Sequence, residues 1–146
     1  FLREQSKKNA NIKPVDFSQL FQGKTTYEVL QGVVQGYVNM NHQEKLLTFY
    51  KVIYSERSIQ PMAARIVAEE TERMIIATKQ LFYAMVIHKL LHFENADMSA
   101  VSFAMTVHGL MDYELDQKYG YDEEPKNLLD EYLKWFCTEN QVEAGD

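Results

Sequence analysis

Residues 60–92 read QPMAARIVAEETERMIIATKQLFYAMVIHKLLH, and the other predicted elements are arranged around this segment. Its apolar residues recur at intervals of three and four, the spacing that aligns side chains along one face of an α-helix. Pro61 stands at the start, where a helix needs no amide hydrogen, and no glycine follows within the stretch. The pattern therefore predicts one continuous helix over 60–92, roughly 50 Å long.

The two halves of this stretch differ in character. The first half carries Arg65, Glu69, Glu70 and Arg73 around a narrow apolar stripe, as on a helix with one face in water. Residues 74–91 are apolar nearly all round. Because a domain of this size does not need so long a rod for its own core, the second half is predicted to lie centrally or to be shared with a partner subunit.

The rest of the chain also follows helical patterns. Thr25 with Glu28 three residues later forms a capping box, and Asp97 is a good N-cap for the helix that follows the long one. No alternating strand pattern occurs. The predicted helices cover 1–8, 15–21, 25–39, 42–55, 60–92, 98–118 and 125–139. We therefore predict a single all-α domain over 1–146, an antiparallel bundle of about five to six sizeable helices.

Glycines within two predicted helices indicate close approach. Gly32 and Gly36 lie four residues apart on one helix, and Gly109 lies within another. A glycine inside a helix costs about 1 kcal/mol relative to alanine. Packing of a neighbouring element, or room for a ligand, is therefore expected beside them.

Composition favours a soluble globular protein. The chain has 146 residues, of which 46% are hydrophobic and 25% charged, and no apolar run is long enough to cross a bilayer. The single Cys137 fits a reducing compartment, so we predict a cytoplasmic location and no membrane partner. The formal net charge of −6 disfavours DNA binding by this chain itself. The opening residues FLREQSKKN begin as if within a helix, which suggests a fragment of a longer protein.

Sequence signals for catalysis are weak. There is no glycine-rich phosphate loop and no nucleophile in a recognised setting, so we predict that the chain is not an enzyme and holds no cofactor. His88 and His92 are spaced four apart as in some zinc sites, but no third ligand accompanies them, and no metal is predicted. A helical-bundle enzyme or cofactor carrier that uses these residues or His108 remains an alternative.

The mixture of aromatic and methionine residues admits two interpretations. Such side chains provide broad apolar area, and tyrosine hydroxyls add a few polar contacts, as in pockets for drug-sized molecules. An ordinary core rich in Met and Tyr would show the same composition. As candidate ligand-binding residues we take Tyr37, Phe49, Tyr50, Tyr54, Met74, Phe82, Met85 and Phe103.

Three segments carry a family resemblance. YSERSIQPM at 54–62 leads into the long helix, and it is followed by DMSA at 97–100 and AMTVHGLMDY at 104–113. Together they resemble the carboxy-terminal domain of TetR-family transcriptional regulators, over about residues 26–115. The resemblance implies a small-molecule effector among the central helices, which we expect to be largely apolar. It also implies DNA binding through a helix-turn-helix head that this chain lacks, connected through a helix whose end is residues 1–8.

The same resemblance implies a homodimer. Residues 74–92 and 98–118 correspond to the dimerising helices, which form a four-helix bundle with their symmetry mates. The predicted interface residues are Ala84, His88, Ala104, His108, Gly109 and Met111. A stand-alone dimeric interaction module without a ligand is the alternative function, because the same apolar faces permit it.

Overall fold

The computed structural model describes residues 17–41, 44–121 and 127–143, with the side chains of 40–48 excepted. These ranges contain helices and connections and no strand, so the all-α prediction is confirmed. The predicted helix over 1–8 lies outside the described residues. The helices are α1 (Phe17–Phe21), α2 (Thr26–Asn41), α3 (Glu44–Glu56), α4 (Pro61–Ile87), α5 (Ala96–Tyr121) and α6 (Leu128–Glu139).

The capping box that opens α2 is present as predicted. The Glu28 backbone N–H donates to Thr25 Oγ1 at 3.2 Å, and the Thr25 backbone N–H donates to Glu28 Oε1 at 3.4 Å. These reciprocal bonds satisfy donors that the first helical turn leaves without partners. Thr25 therefore fixes where α2 begins.

The long helix α4 ends earlier than predicted. It runs over 27 residues to Ile87, and the prediction that it continues to residue 92 is wrong. Lys89 adopts a left-handed φ of 58°, the Lys89 N–H donates to Val86 O at 3.0 Å and the Leu90 N–H donates to Met85 O at 2.8 Å. This pair of bonds is a Schellman motif, which closes a helix, here with lysine in the position that glycine usually takes. His88 and His92 therefore do not share a helix face.

The start of α5 also differs from the prediction. Asn95, rather than Asp97, is the N-cap, because its Oδ1 accepts the Met98 backbone N–H at 3.0 Å. The Asn95 carbonyl also accepts the Ser99 N–H at 3.0 Å, the first bond of the helix. Asp97 lies in the first turn, where a carboxylate favours the positive end of the helix dipole.

Most of the core lies between α2, the second half of α4, α5 and α6. Helices α2, α3, α4 and α5 each pack against the next helix in the chain, and α2 also packs against α6. Phe82 has no exposed surface, and its ring centroid lies 4.9 Å from that of Phe93, 5.2 Å from Phe103 and 5.5 Å from Phe136. We call this the main core; its buried members include Leu30, Leu81, Phe82, Met85, Leu91, Phe103, Val107 and Phe136.

A smaller apolar cluster joins α3 to the first half of α4. Ile53 packs with Ala63 and Ile66, and Phe49 and Val67 lie against them. This second cluster is separate from the main core. Because it uses one side of the first half of α4, the predicted single apolar stripe is confirmed there.

The second half of α4 is apolar on both sides, as predicted. Leu81, Phe82 and Met85 are buried in the main core. Ile76, Tyr83 and Ile87 lie on the opposite side and are exposed, Ile87 to 77%. Within the part of the chain that the structure describes, one apolar side of this helix is therefore uncovered.

The helical glycines do not mark close packing within the described residues. A Cβ built on Gly32, Gly36 or Gly109 would meet no atom within 4 Å. The expectation that a neighbouring element of this chain approaches them is therefore wrong for the part that the structure describes. Gly23 is different, because its φ of +72° is a conformation that other residues adopt only with strain.

No helix within the described ranges combines the length and the hydropathy needed to span a membrane.

Candidate functional site

A polar cluster with aromatic members joins α3 to α5. The Tyr54 hydroxyl and His108 Nδ1 each lie 3.4 Å from the same oxygen, Asp112 Oδ2. The rings of Tyr50 and Tyr54 are stacked with centroids 6.1 Å apart. We call Tyr50, Tyr54, His108 and Asp112 the Tyr54 cluster. Its geometry follows from spacing, since each helix contributes two residues four apart and therefore on one face.

Burial dominates the electrostatics of Tyr50. Loss of solvent raises the pKa of its hydroxyl above the usual value of 10.0, and the nearby Tyr37, Glu70 and Asp112 raise it further. At neutral pH the Tyr50 hydroxyl therefore keeps its proton and can donate a hydrogen bond. This makes Tyr50 a polar contact within a largely aromatic surface.

Arg57 covers part of Tyr54. Its guanidinium carbon lies 3.6 Å from the centroid of the Tyr54 ring, within the range of a cation–π interaction. Arg57 follows directly on the end of α3. Together with the Arg57 cation, the Tyr54 cluster offers a carboxylate and phenol hydroxyls on an aromatic surface. This set could orient a molecule that has both apolar and polar groups.

Six of the eight candidate ligand-binding residues lie in two places. Tyr50 and Tyr54 stack on α3, with Tyr37 near enough to perturb Tyr50. In contrast, Phe82, Met85 and Phe103 pack against other side chains of the main core. The remaining two are half-buried: Phe49 against the second cluster and Met74 on α4.

Asp112 is the member of the Tyr54 cluster that the sequence analysis missed. The sequence predicts His108 to be a hydrogen-bonded core or interface residue rather than a ligand, without naming its partner, although a carboxylate four residues away on the same helix is a common ion-pair spacing. That spacing was the available signal. The contact with Tyr54 had no local signal, because 58 residues separate the two positions.

The predicted dimer-interface residues differ in their exposure to solvent. His88 and Gly109 are exposed, whereas Ala84, His108 and Met111 are half-buried. Ala104 is 2% exposed, because other residues of its own chain already cover it. Apolar side chains of α4 and α5 that were not among the predicted interface residues are exposed. We call five of them the α4/α5 face: Ile76, Tyr83, Ile87, Met105 and Tyr113.

The spacing within the α4/α5 face is regular. Ile76, Tyr83 and Ile87 follow at intervals of seven and four on α4, and Met105 and Tyr113 are eight apart on α5 with Gly109 between them. Such intervals form a continuous stripe along a helix. Both stripes lie on the sides of α4 and α5 that do not supply the main core.

Within residues 17–41, 44–121 and 127–143, no group of three or more His, Cys, Asp or Glu side chains could hold one metal ion. Compared with models of known protein families, with curated protein sequences and with solved structures, the chain gives no significant match.

Proposed function

We propose that this chain is the effector-sensing and dimerising domain of a TetR-like transcriptional regulator. The observation that carries the proposal is the Tyr54 cluster, in which half-buried phenols from α3 meet a histidine and a carboxylate from α5. The resemblance of segments 54–62, 97–100 and 104–113 to TetR-family regulators supports it, as does the all-α architecture.

The effector binds at the Tyr54 cluster, between α3 and α5. Aromatic rings supply apolar contact area, and the Tyr50 and Tyr54 hydroxyls supply polar contacts. The effector is therefore a largely apolar molecule that carries at least one hydrogen-bonding group. Phe82, Met85 and Phe103 support this site from the main core rather than touching the effector.

Signalling follows from the position of the cluster between two helices. A ligand that prefers one arrangement of α3 and α5 shifts the population towards that arrangement. The helix leading to a DNA-binding head then carries this difference, which is a coupling free energy between the two sites. DNA contact belongs to that head, since the net charge of this chain is −6.

Dimerisation uses the α4/α5 face. Met105 is 50% exposed and Ile87 77%, so a second copy would remove substantial apolar area from water. A two-fold axis would bring α4 and α5 together with their mates as a four-helix bundle. A stable interface of this kind buries on the order of 1,500 Å².

A thermal-shift panel tests the effector site. We expect the melting temperature to rise with amphipathic aromatic compounds, and Tyr50→Ala and Tyr54→Phe to abolish most of that rise. Tyr121→Phe is the matched control, because Tyr121 is 75% exposed near the end of α5. A chain that responds to no compound in a broad panel, or a response that Tyr50→Ala leaves intact, overturns the site.

Analytical ultracentrifugation tests the dimer. The wild-type chain should sediment at twice its 17.1 kDa mass at micromolar concentration, and Met105→Glu should shift it to monomer. Ile59→Glu is the control, because Ile59 is 73% exposed in the turn after α3 and away from both stripes. A monomeric wild type overturns this part of the proposal.

A stand-alone dimeric interaction module is the second candidate. The α4/α5 face favours it, because an uncovered apolar surface serves protein association whether or not a ligand binds. A stable dimer that responds to no compound, and whose Tyr54→Phe variant behaves as wild type in every binding assay, would decide for this candidate.

A further inference from the structure

A groove of about 620 Å³ opens at the end of the molecule where α5 begins and α6 ends. It lies between the connection after α4, the first turns of α5 and the last turns of α6. Ser99 lies in the wall of the groove, and Asp112 of the Tyr54 cluster lies about 20 Å from it along α5. The groove is thus separate from the proposed effector site and contains none of the candidate ligand-binding or dimer-interface residues given above, although His92 lines it.

Backbone and amide contacts hold the walls of the groove in place. The His92 N–H donates to Asn140 O at 2.9 Å and so ties the connection after α4 to the end of α6. Asn140 Nδ2 donates to Phe136 O at 2.9 Å, and Asn95 caps α5. The shape of the groove is therefore fixed by the fold rather than by exposed side chains alone.

Aromatic side chains line one wall of the groove. The ring centroids of Tyr132 and Trp135 lie 5.9 Å apart, and Trp135 remains 56% exposed. Burial raises the pKa of Tyr132 above its usual value, so its hydroxyl is neutral at physiological pH. Met98, 61% exposed, adds a further apolar side chain. An exposed indole beside a phenol offers the type of ring face that attracts cations most strongly.

The charged residues of the groove have one sign. Glu94, Glu139 and Glu143 line it together with His92, and no lysine or arginine of the described residues does. None of the three carboxylates has an ion-pair partner among the described residues. The carbonyl end of α6 adds partial negative charge, whereas Asn95 and Asp97 offset the positive end of α5.

The arrangement suits an organic cation better than a metal ion. Among the residues that the structure describes, these carboxylates belong to no cluster tight enough to chelate a metal. Separated carboxylates lower the energy of a cation throughout the groove without coordinating it. The volume matches the 300–1,000 Å³ or so of pockets that hold drug-sized molecules.

We propose that this groove binds a small organic monocation, such as a substituted ammonium that carries an aromatic or alkyl body. The apolar body packs on Trp135 and Met98, and the charged head lies against the ring faces and near the glutamates. This proposal does not rest on the effector function of the Tyr54 cluster, and either can fail without the other.

Trp135 is the only tryptophan of the chain, so its fluorescence reports the groove directly. The test is a titration with benzyltrimethylammonium, and 4-tert-butylbenzoate is the anionic counterpart with a similar body. We expect a saturable change in Trp135 emission with the cation, with a Kd on the order of 1 mM or tighter. The anion should produce no saturable change, and raising the salt concentration should weaken cation binding.

Charge-neutral variants give the second arm of the test. Glu94→Gln, Glu139→Gln and Glu143→Gln should each raise the Kd about two- to fivefold. Glu72→Gln, at an exposed position on α4, is the matched control and should leave the Kd unchanged.

Equal binding of cation and anion, or a Kd insensitive to the triple Glu→Gln variant, overturns the proposal. A lysine-rich peptide that binds where the small cation does not would reassign the groove to a protein segment. Trp135 emission that varies with protein concentration and not with the cation would reassign it to contacts between copies.

Discussion

The Tyr54 hydroxyl lies 3.4 Å from Asp112 Oδ2, and this contact joins α3 to α5 across 58 residues of sequence. The same oxygen lies 3.4 Å from His108 Nδ1, so one carboxylate serves two partners. The Tyr54 contact is thus a polar link between a helix of the second cluster and a helix of the main core. If α3 and α5 move relative to each other when a ligand binds, this contact must change.

A double-mutant cycle measures the link between Tyr54 and Asp112. Tyr54→Phe should lower the free energy of unfolding by about 0.5–1.5 kcal/mol, and Asp112→Ala should cost somewhat more because His108 also loses its partner. The double variant should cost less than the sum of the two, by about 0.5 kcal/mol or more. Urea unfolding gives the four values, with Tyr121→Phe as the control. Strictly additive losses would show that the two groups do not interact.

Phe82 is the largest fully buried side chain of the main core. Phe82→Ala removes a ring in contact with three other aromatic rings, so we expect a loss of about 3–5 kcal/mol in the free energy of unfolding. Ile59→Ala, at a side chain that is 73% exposed, should change it by less than about 0.5 kcal/mol. Chemical denaturation of both variants checks the difference. Similar small effects at the two sites would contradict the packing of α6 over Phe82.

Two glycines should respond to alanine with opposite sign. Gly23 has a φ of +72°, so Gly23→Ala should destabilise the chain by about 1–2 kcal/mol. Gly32 lies in α2 with nothing within 4 Å of an added Cβ, so Gly32→Ala should stabilise it by about 0.5–1 kcal/mol. Thermal melting of the two variants gives the comparison. A destabilising Gly32→Ala would indicate that something outside the chain packs there.

Local periodicity predicted the buried side of α4, but not where this helix ends. In α4, Ala63, Ile66, Leu81, Phe82 and Met85 follow the helical spacing and are buried. The same spacing continues through Leu90 and Leu91, yet the chain turns at Lys89. Leu91 is 1% exposed and is buried in the main core from the connection rather than from the helix. Burial alone therefore produces the same sequence pattern in a helix and in the turn after it.

The polar contacts were less predictable than the core. Asn95 and Asp97 are both residue types that cap helices well, and local sequence alone does not choose between them; in the structure, Asn95 Oδ1 accepts the Met98 N–H. The Tyr54 contact requires α3 to lie beside α5, a long-range arrangement on which local spacing carries no information. Sequence spacing could place His108 and Asp112 together, because they belong to one helix.

Thr26 ties the start of α2 to the connection after α4. Its hydroxyl donates to Leu90 O at 3.0 Å, a part-buried bond between residues 64 apart. Thr26→Val keeps the shape and removes the donor, so the free energy of unfolding should fall by about 0.5–1.5 kcal/mol. Thr138→Val is the control, because the Thr138 hydroxyl bonds to Lys134 O in its own helix and is exposed. Equal losses in the two variants would mean that the long-range bond adds nothing.

The thiol of Cys137 should react slowly while the chain is folded. Burial raises its pKa from 9.0 to about 11, so less thiolate is present at pH 8 than in a free cysteine. Iodoacetamide should therefore modify Cys137 many times faster in urea than in the folded state, and the folded rate should keep rising beyond pH 9. The folded state holds this proton more tightly than the unfolded state, so the thiol contribution to stability is complete below pH 9 and declines as the pH rises towards 11. A folded rate that levels off near pH 9 would show that the thiol is not shielded.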